Sequence, residues 1–338
     1  MLVHMDGFDS YINDSDLYSE YNNGWTGNTA ITTTGGRYGT CGITFSGTAA
    51  FLSRILPSSL TQLWIGFAFN PTSFAASGTE LIQFISGAGI EFSVTYYGGT
   101  LKFYRGDMTT LVASFSITIT TGAWHWFEFH YTYGASAGVV ECWVDNVQLG
   151  TFTGNTTNAG GGAIYVIEIG NNHGSANAMV GTLDDMYILD ASTGANTTRL
   201  GDCRVEVLGP TANAGPNNGT ASSGSNYACV NEAQYNTTNY VTLTDTTGQE
   251  ELYTPATLST NPFQIFGVRP LLVGQKIDAG SAALKPAIVS GGVASLGTAV
   301  QMTTNWLRAY SIFETDPNTG VAWTGAGINA ASFGASVA

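Results

Sequence analysis

Along most of the chain, apolar side chains alternate with polar or small ones, which is the period-two pattern of half-buried β-strands. The stretch 90–97 is typical, since alternate positions place four apolar residues on one face: Ile90, Phe92, Val94 and Tyr96. The aromatic stretch 124–133 follows the same rule. Helical periodicity is nearly absent, and its best short candidate, 48–55, fits a strand equally well. The pattern predicts an all-β protein.

Turn signals separate these strands at regular intervals. Gly98-Gly99 and Asp145-Asn146 each stand between two predicted strands, as the two central residues of a hairpin turn do. Strands that recur about every 8–12 residues predict a sandwich or a barrel. No repeat of about 20–50 residues is present, which argues against a β-helix or a propeller.

The amino-acid composition of the chain changes near residue 192, where small and polar residues begin to dominate. The segment 209–225 is rich in Gly, Pro, Asn and Ser, and predicts a long exposed loop. Strands are predicted on both sides of it, at 203–208, 240–243, 263–269, 288–289 and 306–314. We therefore predict two β domains, 1–200 and 201–338, the second being a smaller β-sandwich for attachment or oligomerisation.

The composition of the chain argues against nucleic acid as a partner and against a membrane span. Charged residues make up 10% of the 338 residues, against about 25% in an average soluble protein. The formal net charge is −14, and Lys and Arg together number only 10, so no basic stripe is available for nucleic acid. No apolar run approaches the roughly 18 residues of a membrane span, and the first residues lack the features of a signal peptide.

Four cysteines occur, none within C-x-x-C spacing of another: Cys41, Cys142, Cys203 and Cys229. This spacing favours free thiols over a metal or redox motif. One or two disulfides stay possible in an oxidising compartment.

Four segments of the first domain follow one another in a familiar order. They are the aromatic strand 124–130, the hairpin 140–147, the Ile-Glu-Ile-Gly strand 167–170 and the Gly-Thr-Leu-Asp-Asp strand 181–188. This order resembles the concanavalin A-like sandwich of laminin-G-like and pentraxin-like domains. The resemblance covers roughly residues 1–192, and it implies an N-terminal jelly-roll sandwich without implying an activity.

Segments of both domains also resemble virion proteins of tailed bacteriophages. The residues concerned are 5–9 (Met-Asp-Gly-Phe-Asp), 200–208, 225–232 and 313–324. This resemblance implies a non-catalytic structural protein on the particle surface, either a head decoration or a part of a tail fibre or baseplate. It implies other virion proteins as partners, assembly in the host cytoplasm and a homo-oligomer such as a trimer.

Glycosidases with lectin-like sandwiches place two acids on one strand face, and the chain contains several close carboxylate pairs. Glu141 and Asp145 stand at a strand–turn edge, and Asp184 and Asp185 alternate to opposite faces. Glu314 and Asp316 have same-face spacing, but Pro317 places them in a turn. The sequence thus favours a protein that is not an enzyme. An adhesin that binds host glycans is the alternative, and a glycan hydrolase is the third candidate.

Two kinds of binding residue remain as candidates. Oxygen ligands that could hold calcium cluster at Asp9, Asp14 and Asp16, with Asp184 on the closing strand, although solvated loops or turn caps explain them equally. Trp25 and Trp323 lie in Gly-, Asn- and Thr-rich segments, where an exposed ring could contact a glycan or a partner. No cofactor other than calcium is indicated.

Overall fold

The computed structural model describes residues 1–17, 20–21, 28–158, 160–171 and 177–338. The chain divides into two compact units, which are described separately. The first consists of Met1 and Val3–Val205, and the second of Leu2 and Glu206–Ala338. Both are built from strands, so the prediction of an all-β protein is confirmed.

In its described residues, the first unit contains fourteen strands and the helical turn α1 (Asp14–Leu17). The strands are β1 (Leu2–Asp6), β2 (Thr29–Thr32), β3 (Gly42–Ser46), β4 (Phe51–Leu60), β5 (Gln62–Phe74), β6 (Thr79–Ser86), β7 (Gly89–Tyr96), β8 (Thr100–Arg105), β9 (Thr110–Ser116), β10 (His125–Thr132), β11 (Gly138–Val144), β12 (Val147–Gly154), β13 (Ile164–Gly170) and β14 (Met179–Asp190).

These strands form two sheets with a core between them. One sheet has eight strands in the order β12-β11-β10-β5-β14-β3-β2, with β1 paired to β14. The other has six strands in the order β4-β13-β6-β7-β8-β9. Inward-facing residues of both sheets form one apolar cluster that includes Phe67, Phe84, Phe92, Phe127 and Phe129. The stretch 48–55 enters β4, so its strand alternative is the correct one.

The predicted hairpin turns are present. Asp145 and Asn146 both have positive φ, 50° and 64°, between β11 and β12. Gly98 and Gly99 have φ of 58° and 75° between β7 and β8. Positive φ at both central residues is the type I′ geometry that matches the twist of the flanking strands.

The second unit contains ten strands, one 3₁₀ turn (Tyr227–Cys229) and the helix α2 (Gly325–Ala330). The strands are β15 (Pro210–Asn217), β16 (Thr220–Ala221), β17 (Val241–Thr242), β18 (Glu250–Pro255), β19 (Leu271–Gly274), β20 (Ala283–Ser290), β21 (Val293–Leu296), β22 (Val300–Gln301), β23 (Leu307–Tyr310) and β24 (Ser332–Val337). One sheet has the order β15-β18-β24-β20-β21, with β22 paired to β20, and two further sheets pair β16 with β17 and β19 with β23.

Two local predictions near the unit boundary are wrong. The stretch 203–208 contains no strand, because backbone groups in this segment bond to side chains instead, such as Val205 N–H to Asp185 (2.7 Å). The predicted loop 209–225 contains β15, which pairs only with β18 at the edge of its sheet. An edge strand tolerates proline, and Pro210 and Pro216 both lie in β15.

All four cysteines carry free thiols. Among the residues that the structure describes, no helix is long and apolar enough to cross a membrane.

Candidate functional site

A row of polar residues crosses the outer face of the six-stranded sheet. Strand register aligns Ser53 of β4, Glu168 of β13, Gln83 of β6, Ser93 of β7 and Tyr104 of β8. The neighbours of these residues along each strand belong to the apolar core, as Ile167 and Ile169 do around Glu168. Because successive side chains of a strand point to opposite faces, the row points away from the core.

A β-bulge adds Glu80 to this row. The register between β6 and β7 shifts between Glu80 and Ile82, so Glu80 and Gln83 share a face although they stand three residues apart. The Gln83 side-chain amide donates a hydrogen bond to Glu80 Oε1 at 2.6 Å. We call Glu80, Gln83 and Glu168 the polar layer.

The polar layer is buried and incompletely hydrogen-bonded. Glu80 and Gln83 are 0% exposed, and Glu168 is 3% exposed. Glu80 Oε2, Gln83 Oε1 and Glu168 Oε1 have no hydrogen-bond partner among the described residues. Buried polar atoms are nearly always hydrogen-bonded in folded proteins. Three unbonded oxygens on adjacent strands therefore point to a site whose hydrogen-bonding capacity is filled from elsewhere.

Burial also changes the acidity of both carboxyls. It raises the pKa of Glu80 to about 8, and the nearby carboxyls of Asp107 and Glu168 add to this shift. Burial raises the pKa of Glu168 to about 7. Near neutral pH, Glu80 therefore holds a proton, while Glu168 is close to half ionised. Two carboxyls with protonation states set apart can serve as a general acid and a general base.

The turn 106–109 is fastened beside the polar layer. The Ser93 hydroxyl donates to the Gly106 carbonyl at 2.9 Å and accepts from Met108 N–H at 3.2 Å. The Asn177 side-chain amide approaches Met108 Sδ at 3.0 Å. Met108 has φ of 50°, a left-handed conformation that is uncommon outside glycine. These contacts hold the turn, and with it Asp107, next to Glu80.

Glu91, on the same sheet, has a structural function instead. Its carboxylate accepts hydrogen bonds from the Ser86 hydroxyl (2.5 Å), Asn158 N–H (2.8 Å) and Gly162 N–H (3.1 Å). These bonds attach the segment around 158–162 to β7. Both oxygens of this carboxylate are therefore engaged in holding the loop.

The outer face of the eight-stranded sheet carries a second buried carboxylate, and it too is fully bonded. Glu128 is 0% exposed. It accepts from Arg199 Nε and Nη2 (2.9 and 2.6 Å), from the Tyr187 hydroxyl (2.6 Å) and from Gly201 N–H (2.8 Å). This cluster anchors the segment 199–205 to the sheet.

The calcium candidates all accept backbone hydrogen bonds. Asp9, Asp14, Asp16 and Asp184 bond to the N–H groups of Cys41 (2.8 Å), Ile31 (2.8 Å), Ile12 (3.2 Å) and Arg37 (2.7 Å), respectively. No group of three or more His, Cys, Asp or Glu with a metal-binding arrangement occurs among the described residues. The structure thus uses these four carboxylates to fasten loops.

Asp184 and Asp185 do not separate to opposite faces as predicted. A register shift between Asp184 and Met186, with φ of 43° at Asp185, interrupts the alternation. Both side chains consequently meet Arg37: Asp184 accepts its backbone N–H, and Asp185 lies 3.7 Å from its guanidinium.

The sequence suggests two tryptophans, Trp25 and Trp323, as contacts for a glycan or a partner, and the structure describes only the second. Trp25 lies outside the described residues. Trp323 is 3% exposed, belongs to an apolar cluster with Ile288 and Ile328, and donates its indole N–H to the Phe313 carbonyl at 3.0 Å. A ring in this position leaves no free face on which a sugar could stack.

Sequence reasoning missed the whole polar layer. A glutamate flanked by Ile167 and Ile169, in a strand predicted as part of a packed sheet, was the available signal at Glu168. Glu80 and Gln83 gave no comparable signal, because their spacing places them on opposite faces of a regular strand.

No protein-family model matches the chain, and no curated protein matches it. Solved structures do match. An endo-β-1,4-glucuronan lyase from Trichoderma reesei is 13% identical over 56% of this chain and 95% of its own, with a TM-score of 0.40. The alginate lyase Aly36B is 11% identical over 56% and 95%, with a TM-score of 0.40. A pentraxin from Limulus polyphemus is 16% identical over 39% and 65%, with a TM-score of 0.31.

These comparisons agree with the predicted jelly-roll and lectin-like fold and correct the predicted function. The prediction of a bacteriophage virion protein that is not an enzyme is wrong: similar structures include glucuronan and alginate lyases and a Trypanosoma rangeli sialidase, which are enzymes. None of the structures named here is a bacteriophage protein. At these identities and TM-scores the similarity concerns the fold alone, and any chemistry has to come from this chain's own residues.

Proposed function

We propose that the first unit binds and cleaves a polysaccharide, and that the polar layer is its reactive site. The observation that carries the proposal is the pair Glu80 and Glu168, two buried carboxyls on adjacent strands, each with an oxygen that lacks a hydrogen-bond partner among the residues that the structure describes. Glycan cleavage requires an acid that protonates the leaving oxygen and a base that removes a proton. Glu80 is suited to the first function and Glu168 to the second.

The electrostatics support this division. The pKa of Glu80, raised to about 8, keeps a transferable proton on that carboxyl at neutral pH, while the pKa of Glu168, raised to about 7, leaves part of that carboxyl ionised. The Gln83 amide, bonded to Glu80 Oε1 at 2.6 Å, fixes the orientation of the acid.

The finer architecture belongs to the same proposal. We propose a concanavalin A-like jelly roll for the first unit and a β-sandwich for the second. The two sheets that enclose one apolar core support the former, and the six-stranded sheet of the second unit, with its two small companion sheets, supports the latter.

The test is release of reducing ends from a panel of polysaccharides by the full chain. Removal of a general acid or base usually lowers a rate about 10²–10⁴-fold, so Glu80→Gln and Glu168→Gln are expected to lose activity by that factor. Glu141→Gln is the matched control, because Glu141 is a half-buried glutamate of the other sheet. Cleavage that survives both site variants would contradict the assignment, and no cleavage of any polysaccharide would contradict the function.

A further inference from the structure

We infer that the turn 106–109 is a lid over the polar layer, and that Ser93 is the latch that holds this lid closed. The inference rests on the proposed function, because a substrate reaches side chains that are 0–3% exposed only after a covering segment has moved away. It adds a conformational step, the opening of the turn, that has to precede any reaction at the polar layer.

The turn covers outward-facing side chains of the six-stranded sheet. Gln83 and Ser93 are register partners on β6 and β7, both point away from the core, and both are 0% exposed. A polar residue on the outer face of an antiparallel sheet is usually exposed, so its complete burial requires another segment over it. The turn lies over Ser93, whose hydroxyl bonds to a carbonyl and an N–H of the turn. Asp107, in the same turn, is close enough to Glu80 to raise its pKa.

One hydroxyl makes two of the hydrogen bonds that attach the turn to the sheet. Ser93 Oγ donates to the Gly106 carbonyl at 2.9 Å and accepts from Met108 N–H at 3.2 Å. The segment 158–162, which also lies beside β7, is attached through two backbone N–H groups that donate to the carboxylate of Glu91. Hydrogen bonds to a charged group are about twice as strong as neutral ones. The turn is therefore the segment that opens more easily.

The closed turn carries two free-energy costs that opening removes. Met108 has φ of 50°, a left-handed backbone conformation that is unfavourable for a residue with such a side chain. Arg105, directly before the turn, has a buried Nε without a hydrogen-bond partner among the described residues, as have three oxygens of the polar layer. Opening relaxes the backbone at Met108 and lets water bond to these four atoms. Both costs act against the latch.

The experiment measures opening without a glycan. Carboxyl groups of the full chain are labelled with a carbodiimide and glycine ethyl ester, and mass spectrometry gives the labelling rates of Glu80 and Glu168. We expect Ser93→Ala to raise both rates at least about tenfold, since two lost hydrogen bonds of ordinary strength account for a factor of that order. Ser114→Ala is the matched control, because Ser114 lies on the outer face of the same sheet, in β9. Glu128, 0% exposed on the other sheet, is the internal reference.

A second variant opens the turn without a change at Ser93. A Cβ on Gly106, which has φ of 68°, would lie 2.6 Å from Thr109 Oγ1 and 2.9 Å from Asn158 Nδ2. Thr109 cannot easily retreat, because its hydroxyl donates to the Arg105 carbonyl at 2.7 Å. We expect Gly106→Ala to raise the same two labelling rates. Gly122→Ala is its control, since a Cβ there, at a similar φ of 76°, would meet no atom within 4 Å.

The outcomes separate the lid from the proposed function. Faster labelling of the polar layer in both variants, with Glu128 and both controls unchanged, would support the lid even if no polysaccharide is cleaved. Wild-type labelling rates in both variants would overturn the lid, while cleavage that is lost in Glu80→Gln would still support the reactive site. Faster labelling that includes Glu128 would also overturn the lid, because it reports unfolding of the unit and not the opening of one turn.

Discussion

Three buried glutamates of the first unit differ in how completely the protein bonds them. Glu91 accepts three hydrogen bonds from neighbouring groups, whereas Glu80 and Glu168 each keep an oxygen without a partner among the described residues. Burial of a polar group costs free energy unless hydrogen bonds compensate for it. The unbonded oxygens of the polar layer therefore lower the stability of the first unit, as is common at functional sites.

This cost should be visible in the pH dependence of stability. Folding raises the pKa of Glu80 from 4.5 to about 8, so the folded state favours the protonated carboxyl. Stability is then fully present below about pH 4.5 and falls as the pH rises through about 8, by up to about 1.4 kcal/mol per pH unit. Glu168, with its pKa raised to about 7, adds a decline of the same sign.

We expect Glu80→Gln to flatten this decline, because an amide does not ionise. Chemical denaturation of the wild type and the variant across this pH range measures the difference, and Glu141→Gln should follow the wild type. If the stability of Glu80→Gln follows the same pH dependence as that of the wild type, folding does not raise the pKa of Glu80.

The bulge in β6 explains why the site could not be found from the sequence. A period-two pattern assigns faces only while the strand is regular, and the shift between Glu80 and Ile82 inverts the assignment for Glu80. Strands β7 and β10 were predictable because they are regular. Their core-facing residues occupy every second position. The predicted strand at 203–208 failed because its segment bonds to side chains that are distant in sequence, such as Asp185, and local pattern carries no information about them.

Strand β5 contains a glycine, Gly66, at a position where neighbouring rings leave no room for a larger side chain. A Cβ on Gly66 would lie 2.3 Å from the Tyr187 ring and 2.9 Å from Trp126. Tyr187 cannot easily retreat, because its hydroxyl donates to the buried Glu128 at 2.6 Å. We expect Gly66→Ala to lower the free energy of unfolding by about 1–3 kcal/mol through overpacking.

Gly87, between β6 and β7, is the matched control for this substitution. A Cβ there would meet no atom within 4 Å. Thermal denaturation of both variants tests the expectation. If Gly66→Ala melts like Gly87→Ala, the tyrosine is free to move and the cluster around Glu128 does not hold it.

At the scale of the molecule, the two units differ in how much apolar volume they bury. Among the described residues, the twelve largest fully buried side chains all lie in the first unit. In the second unit, described in full from 206 to 338, six of the Val, Leu, Ile, Met, Phe, Tyr and Trp side chains are buried: Leu252, Ile288, Met302, Trp323, Ile328 and Val337. It also exposes Phe263 and Ile277 almost completely. A unit with so small a core has little local free energy with which to resist opening.

Native-state hydrogen exchange should therefore separate the units. We expect the amides of β5, β10 and β14, central in the eight-stranded sheet, to exchange only through global unfolding of their unit, and those of β15, β16 and β19 to exchange much faster. Equal protection in both units would contradict this expectation for a single chain. Such a result would mean that the second unit buries further apolar surface against another chain, which is what the predicted homo-oligomer requires, and dilution of the sample should then restore fast exchange in the second unit alone.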